Sequence, residues 1–197
     1  MPGPMRQHLR PESGNKTMNN TMNKEKRHIL ICGDRGVGKS TLIGRLLNET
    51  SLPRYGFITK REAEGADGFH PVYIHPARLS EAERVCNEEN MIGTCDRRIH
   101  NINLSVFNTL GVRCIREAAP DGIIVMDELG FMEADAKEFT DAVFDALSGD
   151  IPVIAAVKSR TDVPFLNKVR SMPKAEVFYI TPENRDQLFE TIRTVFP

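Results

Sequence analysis

The sequence predicts a three-layer α/β sandwich, a mainly parallel central sheet with helices on both faces, and three observations predict it. Short, fully apolar runs recur at intervals, as strands buried on both faces require. Amphipathic stretches of helical length separate them. The first apolar run leads straight into Gly33-Asp34-Arg35-Gly36-Val37-Gly38-Lys39-Ser40-Thr41, a complete G-x-x-x-x-G-K-[ST] phosphate loop. That element places the fold among the P-loop NTPase type.

Taken in order, residues 1–26 are polar and rich in Asn, Lys, Met and Pro, with Leu9 the only conventional large aliphatic. Such a segment buries too little surface to offset its ordering entropy, so a disordered N-terminal tail is expected, with residues 27–197 as one domain. Met18 and Met22 are alternative starts. His28–Cys32 reads as a buried strand, and Leu42, Ile43, Leu46 and Leu47 place a helix after the loop, opening at Ser40. Tyr55–Thr59 and Val72–Ile74 read as strands flanking a polar loop at Glu62–Gly68. Leu79–Asn90 is ambiguous, because Ser80 and Glu83 fit a capping box but few apolar residues follow. Leu104, Phe107 and Ile115 suggest a helix running toward Pro120. Gly122–Met126 is then an apolar strand ending at Asp127, and Phe139, Val143 and Leu147 mark the next helix. Val153–Val157 and Glu176–Ile180 are further strands. Thr181-Pro182 announces the last helix as N-cap and N1, with Leu188, Ile192 and Val195 toward the sheet.

Bulk properties narrow the function. The chain has 197 residues, 40% hydrophobic and 27% charged, with a formal net charge of −1. That balance lacks the electrostatic footprint of a dedicated nucleic-acid binder. No apolar run reaches the length of a membrane span and no signal-peptide core follows the start, so a cytoplasmic, membrane-free protein is expected. A monomer is the default. The four cysteines, Cys32, Cys86, Cys95 and Cys114, form no C-x-x-C pair, which argues against a zinc site and makes Cys32 a core residue.

The chemistry concentrates in two segments. In residues 33–41 the glycines let consecutive backbone amides turn inward around phosphate oxygens, and the helix N-terminus lies beneath the anion. Gly33, Asp34, Arg35, Gly36, Val37, Gly38, Lys39, Ser40 and Thr41 are therefore the candidate nucleotide-binding residues. Lys39 reaches the β- and γ-phosphates, and Ser40 is a candidate Mg²⁺ ligand. The second segment, Ile123-Ile124-Val125-Met126-Asp127-Glu128, resembles a Walker B element. Its strand carries Asp127 to the carboxyl edge of the sheet as the second candidate Mg²⁺ ligand. Glu128 follows directly and is the candidate catalytic base for an attacking water, with Lys39 as catalytic partner. Glu133 reads equally well as a supporting carboxylate or as the solvated start of a helix.

The sequence admits three rival functions. Asp127-Glu128-Leu129-Gly130 also fits the D-x-x-G element of small GTPases, but Val157-Lys158-Ser159-Arg160-Thr161-Asp162 lacks the Asn and Asp of N-K-x-D, which argues against strict guanine specificity. A small-molecule or nucleotide kinase is the main alternative, with Arg97 and Arg98 as candidate lid arginines. A non-catalytic nucleotide-dependent switch has little use for an intact Lys39/Ser40/Asp127/Glu128 set. Arg160 is a candidate γ-phosphate contact. Phe57, Phe69, Tyr73 and Phe131 could each stack on a base or pack in the core.

The phosphate loop, Gly56-Phe57-Ile58-Thr59 with Gly68-Phe69, Asp127-Glu128-Leu129-Gly130-Phe131-Met132-Glu133 and Ile180-Thr181-Pro182-Glu183-Asn184-Arg185 together carry a resemblance. They resemble, in order and spacing, the small nucleoside triphosphatases described from thermophiles, which include the human cancer-related nucleoside triphosphatase. The third block is similar to that family's Asp-Glu-Ile-Gly-x-Met-Glu, with Leu129 for Ile and Phe131 where a small or basic residue is common. The resemblance spans about residues 28–195 and matches poorly over 79–101. It implies Mg²⁺-dependent hydrolysis of ATP, GTP and other NTPs to NDP and phosphate, with modest base selectivity and Glu128 as base.

Overall fold

The computed structural model describes residues 27–96 and 99–197. The expected tail at 1–26, the alternative starts Met18 and Met22, and Arg97 and Arg98 lie outside the described residues. The five apolar runs form parallel strands β1 (His28–Gly33), β2 (Arg54–Arg61), β6 (Ile123–Leu129), β7 (Val153–Lys158) and β8 (Ala175–Tyr179). Strands β3 (His70–Pro76), β4 (Met91–Cys95) and β5 (Ile99–His100) extend the sheet antiparallel from β2. The spatial order is β5-β4-β3-β2-β6-β7-β1-β8. Strand β7 thus lies between β1, which feeds the phosphate loop, and β6, which carries Asp127.

Two cores explain the burial of β1 on both faces. Ile29 and Ile31 face α1 (Lys39–Leu47) and α6 (Arg185–Arg193), packing with Leu42, Leu46 and Ile192. Leu30 and Cys32 face the opposite layer, built from α3 (Val112–Arg116), α4 (Lys137–Ser148) and α5 (Pro164–Arg170). This is the predicted sandwich. Phe139 on α4 is fully buried between Phe57 and Phe107, each ring centroid 5.3 Å away. Gly111 permits that contact, since a Cβ there would stand 2.7 Å from the Phe139 ring.

Several local expectations are corrected. The first helix opens at Lys39, one residue early. The stretch toward Pro120 is α2 (Leu104–Val106) and α3 joined through a π-helical segment at Phe107–Gly111. Residues 79–90 hold only a 3-10 turn at Glu81–Glu83, where the Ser80/Glu83 capping box does form. Thr181 does not cap the last helix. Asn184 stands at its N-cap, and the Asn184 side chain accepts from the Thr181 N–H at 2.8 Å. Phe189 joins Ile192 in the core, while Val195 falls beyond the helix. Strands β4 and β5 and helix α5 carry no periodic signal strong enough to have been anticipated.

Candidate active site

The carboxyl ends of β1, β6 and β7 converge on the phosphate loop. Gly36 and Gly38 adopt φ of 80° and 102°, the left-handed conformations that turn successive amides toward one point. A Cβ on Gly38 would also stand 3.1 Å from Arg185 Cδ, so the start of α6 lies against the loop. Lys39 is only 4% exposed, and its ammonium donates to the carbonyls of Gly33 (2.9 Å) and Asp34 (2.8 Å).

Strand β6 presents two consecutive carboxylates through a register shift. Met126 aligns with Ala155 and Leu129 with Val157, so β6 carries one extra residue opposite β7. Such a bulge re-aims side chains next to sites; the Asp127–Glu128 peptide within it is cis. The Ser40 hydroxyl donates to Asp127 Oδ1 at 2.8 Å. Burial pushes the Asp127 carboxyl up to about 6; the Ser40 hydrogen bond and Lys39 oppose that rise, and the neighbouring Glu128 charge adds to it.

Glu128 is clamped by two cations, Lys39 Nζ at 3.0 Å and Lys158 Nζ at 3.1 Å. Lys158 ends β7 and was not singled out from the sequence. The signal was present, because an apolar strand ending in a charged residue is the same pattern that marked Asp127. Arg170 on α5 fixes the following loop, donating to the carbonyls of Lys158 (2.8 Å) and Arg160 (2.7 Å). The Ser159 hydroxyl bonds the Asp34 carboxylate, tying this loop to the phosphate loop.

Glu133 is a buried residue, not the solvated start of a helix. Its carboxylate accepts the Gly130 N–H, and burial pushes it up to about 7, against the pull of that hydrogen bond and of Lys158. Arg160 is engaged elsewhere: its guanidinium pairs with Asp162 and lies 4.8 Å from the centre of the Phe131 ring. Of the candidate base-stacking rings, Phe57 is core, and Phe69 meets His100 edge-on at 5.1 Å. Tyr73 sits beside His75, and Phe131 lines a cavity next to Glu128.

Among the described residues no cluster of three or more His, Cys, Asp or Glu is arranged to hold a metal. One hydroxyl and one carboxylate in contact are instead the sparse oxygen set that suits Mg²⁺, which keeps waters and takes phosphate oxygens. No helix among them is long and apolar enough to cross a membrane.

Comparison with known proteins gives one answer. The sequence profile of the NTPase family matches residues 28–193. The nucleoside-triphosphatase THEP1 of Methanothermobacter thermautotrophicus is 35% identical over 167 residues, covering 82% of this chain and 91% of that protein. Among solved structures, THEP1 from Aquifex aeolicus superposes with a TM-score of 0.67 at 25% identity, covering 86% of this chain and 98% of that one. A human cancer-related nucleoside triphosphatase gives 0.60 at 25% identity, covering 86% and 96%.

Proposed function

The chain belongs to the NTPase family, and from that premise we propose that it hydrolyses nucleoside triphosphates at the γ-phosphate, with Mg²⁺ and little selection among bases. The observation that carries this reading is Glu128, a carboxylate held between Lys39 and Lys158 at the mouth of the phosphate loop. When a triphosphate enters, its γ-oxygens compete for the Lys39 ammonium. Glu128 then trades a lysine partner for a water, which it orients toward the γ-phosphorus and deprotonates as the bond to the leaving diphosphate breaks. Lys39, Lys158 and the loop amides stabilise the charge that develops on the transferring group.

Ser40 and Asp127 would hold Mg²⁺, which when bound would neutralise charge on the triphosphate. The two ligands already touch. Broad base use agrees with the loop after β7, where Asp162 is occupied by Arg160 and presents no free carboxylate to a guanine edge.

The test is phosphate release from ATP, GTP, CTP and UTP with Mg²⁺, comparing the native protein with Glu128→Gln. Turnover of several NTPs, falling roughly a hundredfold in the variant while nucleotide binding persists, is expected. Unchanged turnover in the variant would remove Glu128 as base.

A further inference from the structure

Beyond Glu128, on the side away from α1, lies a cavity of about 470 Å³. Gly33, Glu128 and Lys158, at the carboxyl ends of β1, β6 and β7, line its phosphate-loop side. Its depth belongs to the antiparallel arm and the opposite helical layer: Ile92 of β4 and Phe107 are 1% and 2% exposed. Val72 and Ile99 from the arm, with Phe131 and Met132 from the segment after β6, complete the apolar lining. Of its charged lining residues Arg61 and Arg160 are exposed, Glu128 and Lys158 are half-buried and Glu133 is buried, so the largely apolar lining also holds a buried carboxyl group.

Hydrolysis needs one water at the γ-phosphorus. This cavity lies in the size range of small-molecule sites and has their composition, an apolar interior with a few convergent polar groups. One of those groups is Glu128, the proposed base. We propose that the cavity is a second-substrate site for a small alcohol with an apolar body, and that the protein can pass the γ-phosphoryl group to it. The step balances without another reactant. The hydroxyl oxygen attacks the γ-phosphorus, the bond from phosphorus to the NDP oxygen breaks, and the hydroxyl proton goes to the Glu128 carboxylate. Products are a phosphomonoester and NDP. Hydrolysis is the same step with water at the mouth. The proposal rests on the reading of Glu128 and the phosphate loop given above, and extends it to a second ligand.

Benzyl alcohol is a suitable probe, having a ring for the apolar interior and one primary hydroxyl. The native protein is given radiolabelled ATP and Mg²⁺ with increasing alcohol, and both phosphate and benzyl phosphate are counted. Saturable benzyl phosphate formation, matched by an equal loss of phosphate release, is expected. Val72→Trp and Ile99→Trp fill the cavity from two different strands, away from the phosphate loop. Each is expected to cut ester formation at least about tenfold while phosphate release without alcohol stays within about twofold. That unchanged release also shows that the variants fold. Phosphate release with no ester overturns the second site and leaves the hydrolase reading standing, as does ester formed equally by both variants. Ester without phosphate release upholds the cavity and overturns hydrolysis. Neither product overturns both.

Discussion

The parallel half of the sheet and its antiparallel arm are built differently. Strands β1, β6 and β7 are buried on both faces almost to their ends, and their carboxyl termini carry Gly33, Asp127, Glu128 and Lys158, with Lys158 in register with Gly33 and 3.1 Å from Glu128. The arm is half-buried along β3 and β5, carries a register irregularity at Val72/Tyr73, and ends in a two-residue strand. The parallel half fixes charges, and rigid double burial suits that task. The arm contributes Val72, Ile92 and Ile99 to a cavity wall, a task that tolerates variation in shape. Damage to the first half should therefore abolish chemistry or folding, and damage to the second should alter what binds.

The sharpest way to break this contrast is at Lys39. Its ammonium joins two loop carbonyls and Glu128. Lys39→Ala removes the proposed principal cation of the transition state, and phosphate release is expected to fall by about a thousandfold or more, with weaker nucleotide binding. Steady-state release with titrated ATP measures both. A variant within tenfold of the native rate would mean that the parallel half does not carry the chemistry.

Stability should separate the halves next. Phe139, fully buried and packed on Phe57 and Phe107, is expected to cost about 3–5 kcal/mol as Phe139→Ala. Ile99, half-buried on β5, is expected to cost about 1 kcal/mol as Ile99→Ala. Urea unfolding of the two variants gives the comparison directly. Equal losses would show that the arm is as integral to the fold as the helical layer.

Lys158 tests the site more finely. It shares Glu128 with Lys39. Lys158→Gln should lower kcat about tenfold with a smaller change in KM, because the position acts on the transferring group more than on the bound nucleotide. A change confined to KM would make Lys158 a binding residue only.

The two halves also differ in how far the sequence revealed them. Strands buried on both faces leave continuous apolar runs, so Ile29–Cys32, Ile123–Met126 and Val153–Val157 were legible, and the phosphate loop has a spacing of its own. Strand β4 reads Met-Ile-Gly-Thr-Cys and β5 is Ile-His, too short and mixed for either period to show. Within the candidate site, the sequence names Ser40, Asp127 and Glu128 because each has a place in a local motif. Lys158 and Arg170 act across the sheet, and no local spacing announces a contact made by topology. The sequence offers Arg160 as a phosphate contact, but Asp162, two residues away, satisfies it at less entropic cost.

Glu133 stands where the halves meet, and its pH dependence gives the smallest and most specific prediction. Its carboxyl is buried, and its value rises from an ordinary 4.5 to about 7. Between those values the unfolded chain has lost the proton while the folded protein retains it. The folded state therefore binds more protons over that window, and stability falls as pH rises through it. A shift of this size corresponds to about 3 kcal/mol across the window. Glu133→Gln keeps an oxygen to accept the Gly130 N–H but cannot ionise. Near pH 4.5 the two proteins should unfold at similar urea concentrations. By pH 7.5 the variant should be the more stable, with the gap opening mainly between pH 5 and 7. Parallel curves over that range would mean that Lys158 and the Gly130 amide fully compensate the buried charge. The carboxylate would then belong with the fixed charges of the parallel half, and not with the apolar cavity it borders.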